Sequence, residues 1–367
     1  MFAPMTPSAP RATLVHEWMV AWGGSESVVA SFARLFPDAA LHTLVHAPDA
    51  RVRETFAGTD VRATWLSRLP GVERYYRYTL PLMPHVWRGV DVGDVELVLS
   101  SSHAFCKGVR VPEGAVHVCY CHTPPRYLWD LAEGYRSGGA WALGGGMLRW
   151  LRNRDLEAAS GVDRFLANSR FVAERIRRIY GRESTVVYPP VDVEAFAEPK
   201  GEGKYYLAGG RLVGYKRVDL AIEAANLGRL PLVVFGDGPE RVRLQAMAGP
   251  TVSFVGTVSQ QDLVELIRKA RAYLFPGVED FGILPVEAQA GGRPVVALAE
   301  GGALETVVDG VTGVLFPTPT AEALLAAVDR LGSVAPTPAA CRENAARFGR
   351  ARFEAEILRE VAVSLAP

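Results

Sequence analysis

Four cysteines in 367 residues are too few and too irregularly placed to staple a fold. Cys106, Cys119, Cys121 and Cys341 show no disulfide-framework spacing, which fits a reducing compartment. No apolar run approaches the length of about 20 residues that a membrane-spanning helix needs. An excess of one charge is also missing. Lys and Arg number 40 and so do Asp and Glu, so there is no overall basic footprint and nucleic acid is not an expected partner. No G-x-G-x-x-G follows the first strand of either half, because WGGSES and GGRLVG both miss the spacing. That excludes a nicotinamide dehydrogenase. A D-x-D element for a catalytic divalent cation is likewise not evident. The segment MFAPMTPSAPR is Pro-rich without an apolar core and reads as a lead-in rather than a signal peptide. The expected location is therefore cytoplasmic, with peripheral contact at the inner membrane face left open.

What is present is apolar matter for sizeable cores, at 49% hydrophobic and 22% charged residues, in a length comfortable for two domains. Short β-branched runs alternate with helical patterns, the mark of parallel sheets with crossover helices. In the first half these runs are 12–18, 40–45, 96–102, 115–122, 164–169 and 184–190, with helices over 24–35 and 171–180 among those between them. The rhythm restarts at 205–210, 230–236, 252–256, 272–277, 293–298 and 312–316. Between the halves VYPPVDVEAFAEPKGEGK (187–204) has the Pro, Gly and charge of a linker. SGGAWALGGGM (137–147) reads as a mobile loop, and 339–363 as one amphipathic helix long enough to pack back across both domains. The expected fold class is α/β: two Rossmann-like doubly wound domains. Their boundaries are 1–192 and 193–345, with 346–367 as the returning helix.

In open α/β sheets ligands bind beyond the carboxyl ends of strands, so strand exits are where chemistry is sought. GGRLVGYKR (209–217) places Arg211 and Lys216 directly after a strand, where two cations can each pair with an oxygen of a diphosphate. A solvated basic turn is the structural alternative. FGDGPE (235–240) and FVG (254–256) are weaker signals, the second offering a bare backbone edge to a nucleobase. FPGVEDFGILPVEAQA (275–290) is the most unusual exit, with Glu279 at its opening and Glu287 eight residues later. The helix it enters has unpaired first amides that suit phosphate. A carboxylate at each end suits a ligand with two separate sets of hydroxyls, such as a nucleotide sugar. Capping by Glu279 or Asp280, with Glu287 solvated, is the structural alternative. Cys119-Tyr-Cys121-His122 puts two thiols on one strand face, but no second ligand pair accompanies them, and no metal is expected.

The pair Glu279–Glu287, with GRLVGYKR and GGALETVVDGVTGVLF (301–316), resembles the GT-B glycosyltransferases of family 4. The likeness extends through HEWMVAWGGSE (16–26), SSSHAFCKG (100–108), CYCHTPPRYLWD (119–130), ANSRFVAERI (167–176) and YPPVDVEAF (188–196). It covers nearly the whole chain, and its nearest branch resembles WbaZ-type mannosyltransferases of bacterial polysaccharide assembly. The resemblance implies a retaining enzyme with two domains facing across a cleft. It would move a hexose from a nucleotide sugar, GDP-mannose first and a UDP-hexose second, to a saccharide or lipid-linked saccharide. Front-face attack, with the leaving phosphate helping to deprotonate the acceptor, is the implied course.

The same resemblance implies that Arg211 and Lys216 neutralise the donor diphosphate and that Glu279 holds donor-sugar hydroxyls. Amides of Phe281, Gly282, Ile283 and Leu284 would contact sugar and phosphate. Glu287 would bind the ribose, and backbone around Val255 would meet the base. Gly23 and Gly24 would let backbone approach the phosphates, and His122 would contact the donor sugar near its reacting carbon. His16, Glu26, His103 and Lys107 are candidates for acceptor binding. No cofactor or metal is required, since Arg and Lys supply the counter-charge. Residues 62–88 and 147–154 mix Arg with Trp, Tyr, Leu and Met, which suits an anionic bilayer surface or, equally, core packing. Two alternatives share the donor residues: a sugar synthase using a UDP-sugar and a soluble acceptor, and a non-catalytic nucleotide-sugar-binding protein.

Overall fold

A computed structural model describes residues 10–130, 145–196 and 201–366. The chain divides into two compact units, Met1–Pro189 with Glu354–Pro367, and Pro190–Phe353. The first unit is built on seven strands: β1 (Ala12–His16), β2 (Leu41–Thr43), β3 (Val61–Ala63), β4 (Leu97–Ser102), β5 (Val116–Cys121), β6 (Arg164–Ala167) and β7 (Ser184–Val186). All pairings are parallel, in the order β3-β2-β1-β4-β5-β6-β7. The second unit has β8 (Tyr205–Gly209), β9 (Leu232–Phe235), β10 (Val252–Gly256), β11 (Ala270–Phe275), β12 (Val295–Leu298) and β13 (Gly313–Phe316). They too are parallel, in the order β10-β9-β8-β11-β12-β13.

Both orders reverse direction at one place, between β1 and β4 in the first sheet and between β8 and β11 in the second. Crossover helices leave to opposite faces there, and the carboxyl ends of the two strands open onto a crevice. The central strands are buried because both sheet faces are covered; all six residues of β4 are buried, its three closing serines included. In the first unit the helix Gly24–Leu35 buries Val28, Val29 and Phe32. The helix Arg170–Tyr180 starts where Ser169 Oγ accepts the Val172 amide at 3.0 Å, and stops at Gly181. In the second unit Val218, Ile222, Val234, Leu274, Val296, Leu324 and Val328 share one core.

Each strand expected from β-branched runs is present, and one was missed. Residues Val61–Ala63 pair with β2 at the sheet edge, where exposure leaves no apolar pattern to read. The single final helix over 339–363 is corrected to two, Pro338–Ala346 and Arg350–Leu365. Between them Phe348 is buried against Phe281, ring centroids 5.4 Å apart, and its carbonyl accepts the Val191 amide at 2.9 Å. That backbone oxygen is thereby taken from any continuing helix. The aromatic stretch 62–88 is divided: Leu66, Val72, Tyr76, Leu80, Met83, Val86 and Trp87 are core, whereas Trp65, Tyr78 and Leu82 are exposed. The loop expected over 137–147 lies outside the described residues up to 144, and Gly145–Ser160 is helical.

Candidate active site

At the β8/β11 crevice the chain turns out of β8 through Gly209 and Gly210 into a short helical turn, Gly214–Lys216. Lys216 doubles back over that exit. A Cβ at Gly210 would lie 3.1 Å from the Lys216 ammonium and 3.0 Å from Leu284, and Gly210 has φ +106. Only glycine fits this backbone and this space. Gly277, just after β11, leaves room for the lysine's own backbone, since a Cβ there would be 2.6 Å from Lys216 Cα. The ammonium reaches Glu279 Oε1 at 2.9 Å, with both side chains mostly shielded. Burial works against the lysine's charge, but the neighbouring carboxylate more than offsets it and leaves the pKa raised. Lys216 is thus a held cation rather than a solvated one. Arg211 stands on the same exit, exposed and without an ion partner among the described residues.

Glu279 leads into the helix Ile283–Ala290, whose N-cap is Gly282. The first amides of a helix have no partner within it, and Pro285 contributes none, which leaves Gly282, Ile283 and Leu284 to point donors outward. Ile283, Leu284 and Glu287 are the partly exposed residues of this helix, spaced to share one face. Buried Tyr273 donates to the Gly209 carbonyl at 3.0 Å beneath the site. Its phenol is pushed well above its ordinary pKa by burial and by the nearby charges of Glu279 and Glu287. The loop before 303 is tied on as well, with the Gly302 amide donating to the Glu279 carbonyl at 2.9 Å. Val255 is exposed at the end of β10, on the sheet edge. The structure brings Arg211, Lys216, Glu279, Phe281, Gly282, Ile283, Leu284 and Glu287 to one strand-end crevice within the second unit.

The β1/β4 crevice of the first unit collects a polar group of its own. Three serines end β4, and each finds an ionisable partner: Ser100 with His117 Nε2 at 2.8 Å, Ser101 with His122 Nε2 at 2.8 Å, Ser102 with Glu17 at 3.0 Å. Glu17 is fully buried and accepts the amides of Ala104 and Cys106 at 2.7 and 3.0 Å, which fixes the loop carrying His103. Burial alone would raise its pKa, yet His103, the Cys106 amide and Lys107 bring it below the ordinary value. Gly23 is the extended N-cap of Gly24–Leu35 and sits close against Glu26.

Three acceptor-binding expectations are corrected here. His16, Glu26 and Lys107 are buried, so none offers a free side chain to a saccharide. Lys107 is spent on Asp155 at 2.6 Å and on the Ala104 carbonyl at 2.6 Å. Asp155 also accepts from Trp129 Nε1 at 2.8 Å and Tyr180 Oη at 3.0 Å. His16 and Glu26 pair with each other at 3.3 Å. His103 and His122 remain partly exposed, their rings 6.0 Å apart. Cys119 and Cys121 point into the core with Phe165 and Ile176, and burial pushes the Cys119 thiol up to about 12. Glu17, Ser101, Asp155 and Tyr273 were not anticipated. A run of three serines closing an apolar strand was the one visible signal for Ser101, since buried hydroxyls need partners.

Burial also pushes His103 and His117 down to about 4, whereas an unfolded imidazole titrates near 6.5. Between those values the unfolded chain binds protons that the folded chain refuses, so stability rises with pH across the window and falls on acidification. A urea series from about pH 7 to about pH 4.5 should show the midpoint dropping, with a shallower drop in His117→Gln. A flat midpoint would contradict it.

Two all-parallel doubly wound units, one with cations and a helix N-terminus at its switch point, define a GT-B type of protein. A family model described as Glycosyl transferases group 1 matches residues 191–348, and one described as Glycosyltransferase Family 4 matches residues 22–195. Together they take in residues 22–348, and the chain belongs to this glycosyltransferase family. A D-inositol 3-phosphate glycosyltransferase of Kribbella flavida is 33% identical over 195 residues, covering 44% of this chain and 46% of that protein. One from Mycobacterium tuberculosis (strain H37Ra) is 31% identical over 180 residues, covering 42% and 38%. The chain thus spans less than half the length of these curated relatives. They carry no mannosyltransferase name, so the mannosyltransferase branch gains no support from them. Anabaena HepE, solved with UDP and glucose, aligns with a TM-score of 0.71 at 17% identity over 96% of this chain and all of its own. Sucrose-phosphate synthase of Thermosynechococcus elongatus aligns at 0.68 and 18% identity, over 96% of this chain and 99% of its own. At such identities the likeness is one of fold.

Proposed function

We propose that the protein transfers a hexose from a nucleotide sugar to a hydroxyl of a saccharide or lipid-linked saccharide acceptor. The observation that carries this is the Lys216 ammonium, packed over Gly210 and against Glu279 beside the N-terminus of Ile283–Ala290. A diphosphate entering there meets Lys216, Arg211 and outward amides together. Charge grows on the leaving diphosphate as the glycosidic bond breaks, and preorganised donors aimed at it are commonly the largest catalytic contribution. Glu279 then exchanges part of its ion pair for donor-sugar hydroxyls, while Glu287, further along the same helix face, takes the ribose. Since Arg and Lys supply the counter-charge, the proposed transfer needs no divalent cation. Retention at the anomeric carbon and mannose as the sugar remain part of the proposal through the family resemblance. Peripheral membrane contact stays outside the proposal: Leu66, Val72, Tyr76, Leu80, Met83, Val86 and Trp87 of the stretch 62–88 are spent on the core, and Trp65, Tyr78 and Leu82 are its exposed large apolar side chains.

A thermal-shift panel of GDP, UDP and ADP with their sugars identifies the donor, because a ligand that binds only the native state raises its apparent stability. GDP-mannose is the arm the resemblance favours, and UDP-glucose is the sugar nucleotide found with HepE. One base should shift the melting temperature well above the others, and transfer from its sugar should persist in EDTA. No shift with any nucleotide, or transfer abolished by EDTA, would count against the reading.

A further inference from the structure

Two amide side chains are buried where the helix Ile283–Ala290 packs against the helix Pro338–Ala346. Gln289 is fully buried and Asn344 is 6% exposed, while the other buried residues of both helices are apolar. Gln289 Nε2 donates to the Thr306 carbonyl at 2.8 Å and to the Pro285 carbonyl at 3.1 Å. Asn344 Nδ2 donates to Gln289 Oε1 at 2.7 Å and to the same Thr306 carbonyl at 2.9 Å. Asn344 Oδ1 accepts from Arg347 at 2.8 Å. We propose that Gln289 and Asn344 are positioning residues for the transfer, holding, through Thr306 and Gly302, the backbone that aims the Glu279 carboxylate at the donor sugar. The proposal rests on the glycosyl-transfer reading above and lies wholly within the unit Pro190–Phe353.

The path from the amides to the carboxylate has no slack. Thr306 closes the short helix Ala303–Thr306, and its hydroxyl and amide both return to the Gly302 carbonyl at 3.1 Å. The Gly302 amide donates in turn to the Glu279 carbonyl at 2.9 Å. A Cβ at Gly301, which has φ +65, would lie 2.6 Å from the Glu279 carbonyl oxygen, and one at Gly302 would lie 2.3 Å from that of Phe281. Backbone therefore rests directly on backbone, and a shift of this loop must carry Glu279 with it. Thr306 is the far end of the loop, so the groups that hold Thr306 set the place of Glu279.

An apolar pair would bury the same helix contact without desolvating amides, a cost that hydrogen bonds do little more than repay. What apolar contacts do not supply is direction. They tolerate sliding, whereas a buried amide pair is satisfied in one register only. The fully buried Thr306 carbonyl accepts from both amides, so loss of one amide loosens the loop without orphaning that oxygen. The carboxylate they serve needs aim, since it must meet sugar hydroxyls while one of its oxygens stays within 2.9 Å of Lys216; groups that fix a site's geometry from behind are what holds such a contact in register. Lys216 and Arg211 leave from β8, outside this run of hydrogen bonds. The amide pair should therefore govern the grip on the donor sugar and leave the grip on the diphosphate alone.

Calorimetric titration of the full chain with UDP, UDP-glucose, GDP and GDP-mannose separates the two grips. In Gln289→Met, which keeps the volume and removes the amide, affinity for the sugar nucleotide relative to its nucleoside diphosphate should fall about 10-fold, the size of coupling expected within one hydrogen-bonded network. Affinity for the diphosphate itself should stay unchanged, and kcat for transfer should fall with the ratio. Because Gln289 acts through Glu279, the same substitution made in Glu279→Ala should cost nothing further. Hydrogen exchange at the Gly302 amide, read without ligand, should quicken in Gln289→Met. Val328→Ala, which cuts into the core of the same unit away from the amides, should lower the melting temperature and move neither the affinity ratio nor Gly302 exchange. If Gln289→Met does not fold, Asn344→Leu breaks the pair from the other helix and should give the same pattern, smaller because Gln289 still holds Thr306. An unchanged ratio in Gln289→Met, an equal further loss in Glu279→Ala, or the same changes in Val328→Ala would overturn the proposal. Should no acceptor be glycosylated under any condition, the glycosyl-transfer reading fails, while the affinity ratio and Gly302 exchange still decide the role of the pair.

Discussion

Lys216→Ala should lower kcat/KM for transfer by about 10²–10³-fold, the cost of losing one preorganised donor to a developing negative charge, or about 3–4 kcal/mol. The loss should fall chiefly on kcat, because the charge to be stabilised is larger in the transition state than in the bound donor. The effect on stability should be moderate, about 1–3 kcal/mol, since the loss leaves the mostly shielded Glu279 carboxylate, 20% exposed, without its partner. Lys216→Arg is the informative companion. It keeps the charge, but the space over Gly210 is shaped around a compact ammonium, and the planar guanidinium is not interchangeable with it. Partial activity in the arginine variant with near-loss in the alanine variant would separate position from charge. Wild-type turnover in Lys216→Ala would remove the lysine from the chemistry.

The second large effect concerns folding. Lys107→Met should destabilise the first unit by about 3–5 kcal/mol, because it strands the charge of Asp155 in the interior. For a unit of this size that is a fall in melting temperature of about 6–20 °C. Asp155 would keep Trp129 and Tyr180 as donors, so the chain should still fold. Adding Asp155→Asn removes the stranded charge while keeping an acceptor for both donors, and the double variant should recover part of the loss. Additive costs in the double variant would show that the pair is not coupled. The Asp155 pair also explains why Lys107 is no acceptor contact: burial opposes its charge, Asp155 restores it, and the outcome is a raised pKa inside the fold.

The second unit was the more legible half. Arg211, Lys216, Glu279 and Glu287 announce themselves because charged residues at strand exits are set off from the apolar runs that precede them. The parallel topology then carries both exits, β8 and β11, to adjacent positions. The first unit hid more. His16, Glu26 and Lys107 look available in a sequence, since local pattern says nothing of which polar groups a fold buries against each other across a sheet. Ser101 faces His122 only through the β4–β5 pairing, and Asp155 finds Lys107 from 48 residues away. Likewise the final helix read as continuous, because the interruption at Phe348 depends on Phe281 and Val191, contacts from distant chain. Long-range polar pairing is what one-dimensional periodicity leaves out.

The direct measurement is a crystal structure of the protein with its nucleotide sugar bound. Density for the two phosphates should lie between the Lys216 ammonium, Arg211 and the amides of Ile283 and Leu284, with the Glu279 carboxylate on sugar hydroxyls. A diphosphate bound away from the β8 and β11 ends, or one that leaves the Lys216–Glu279 pair untouched, would contradict the account.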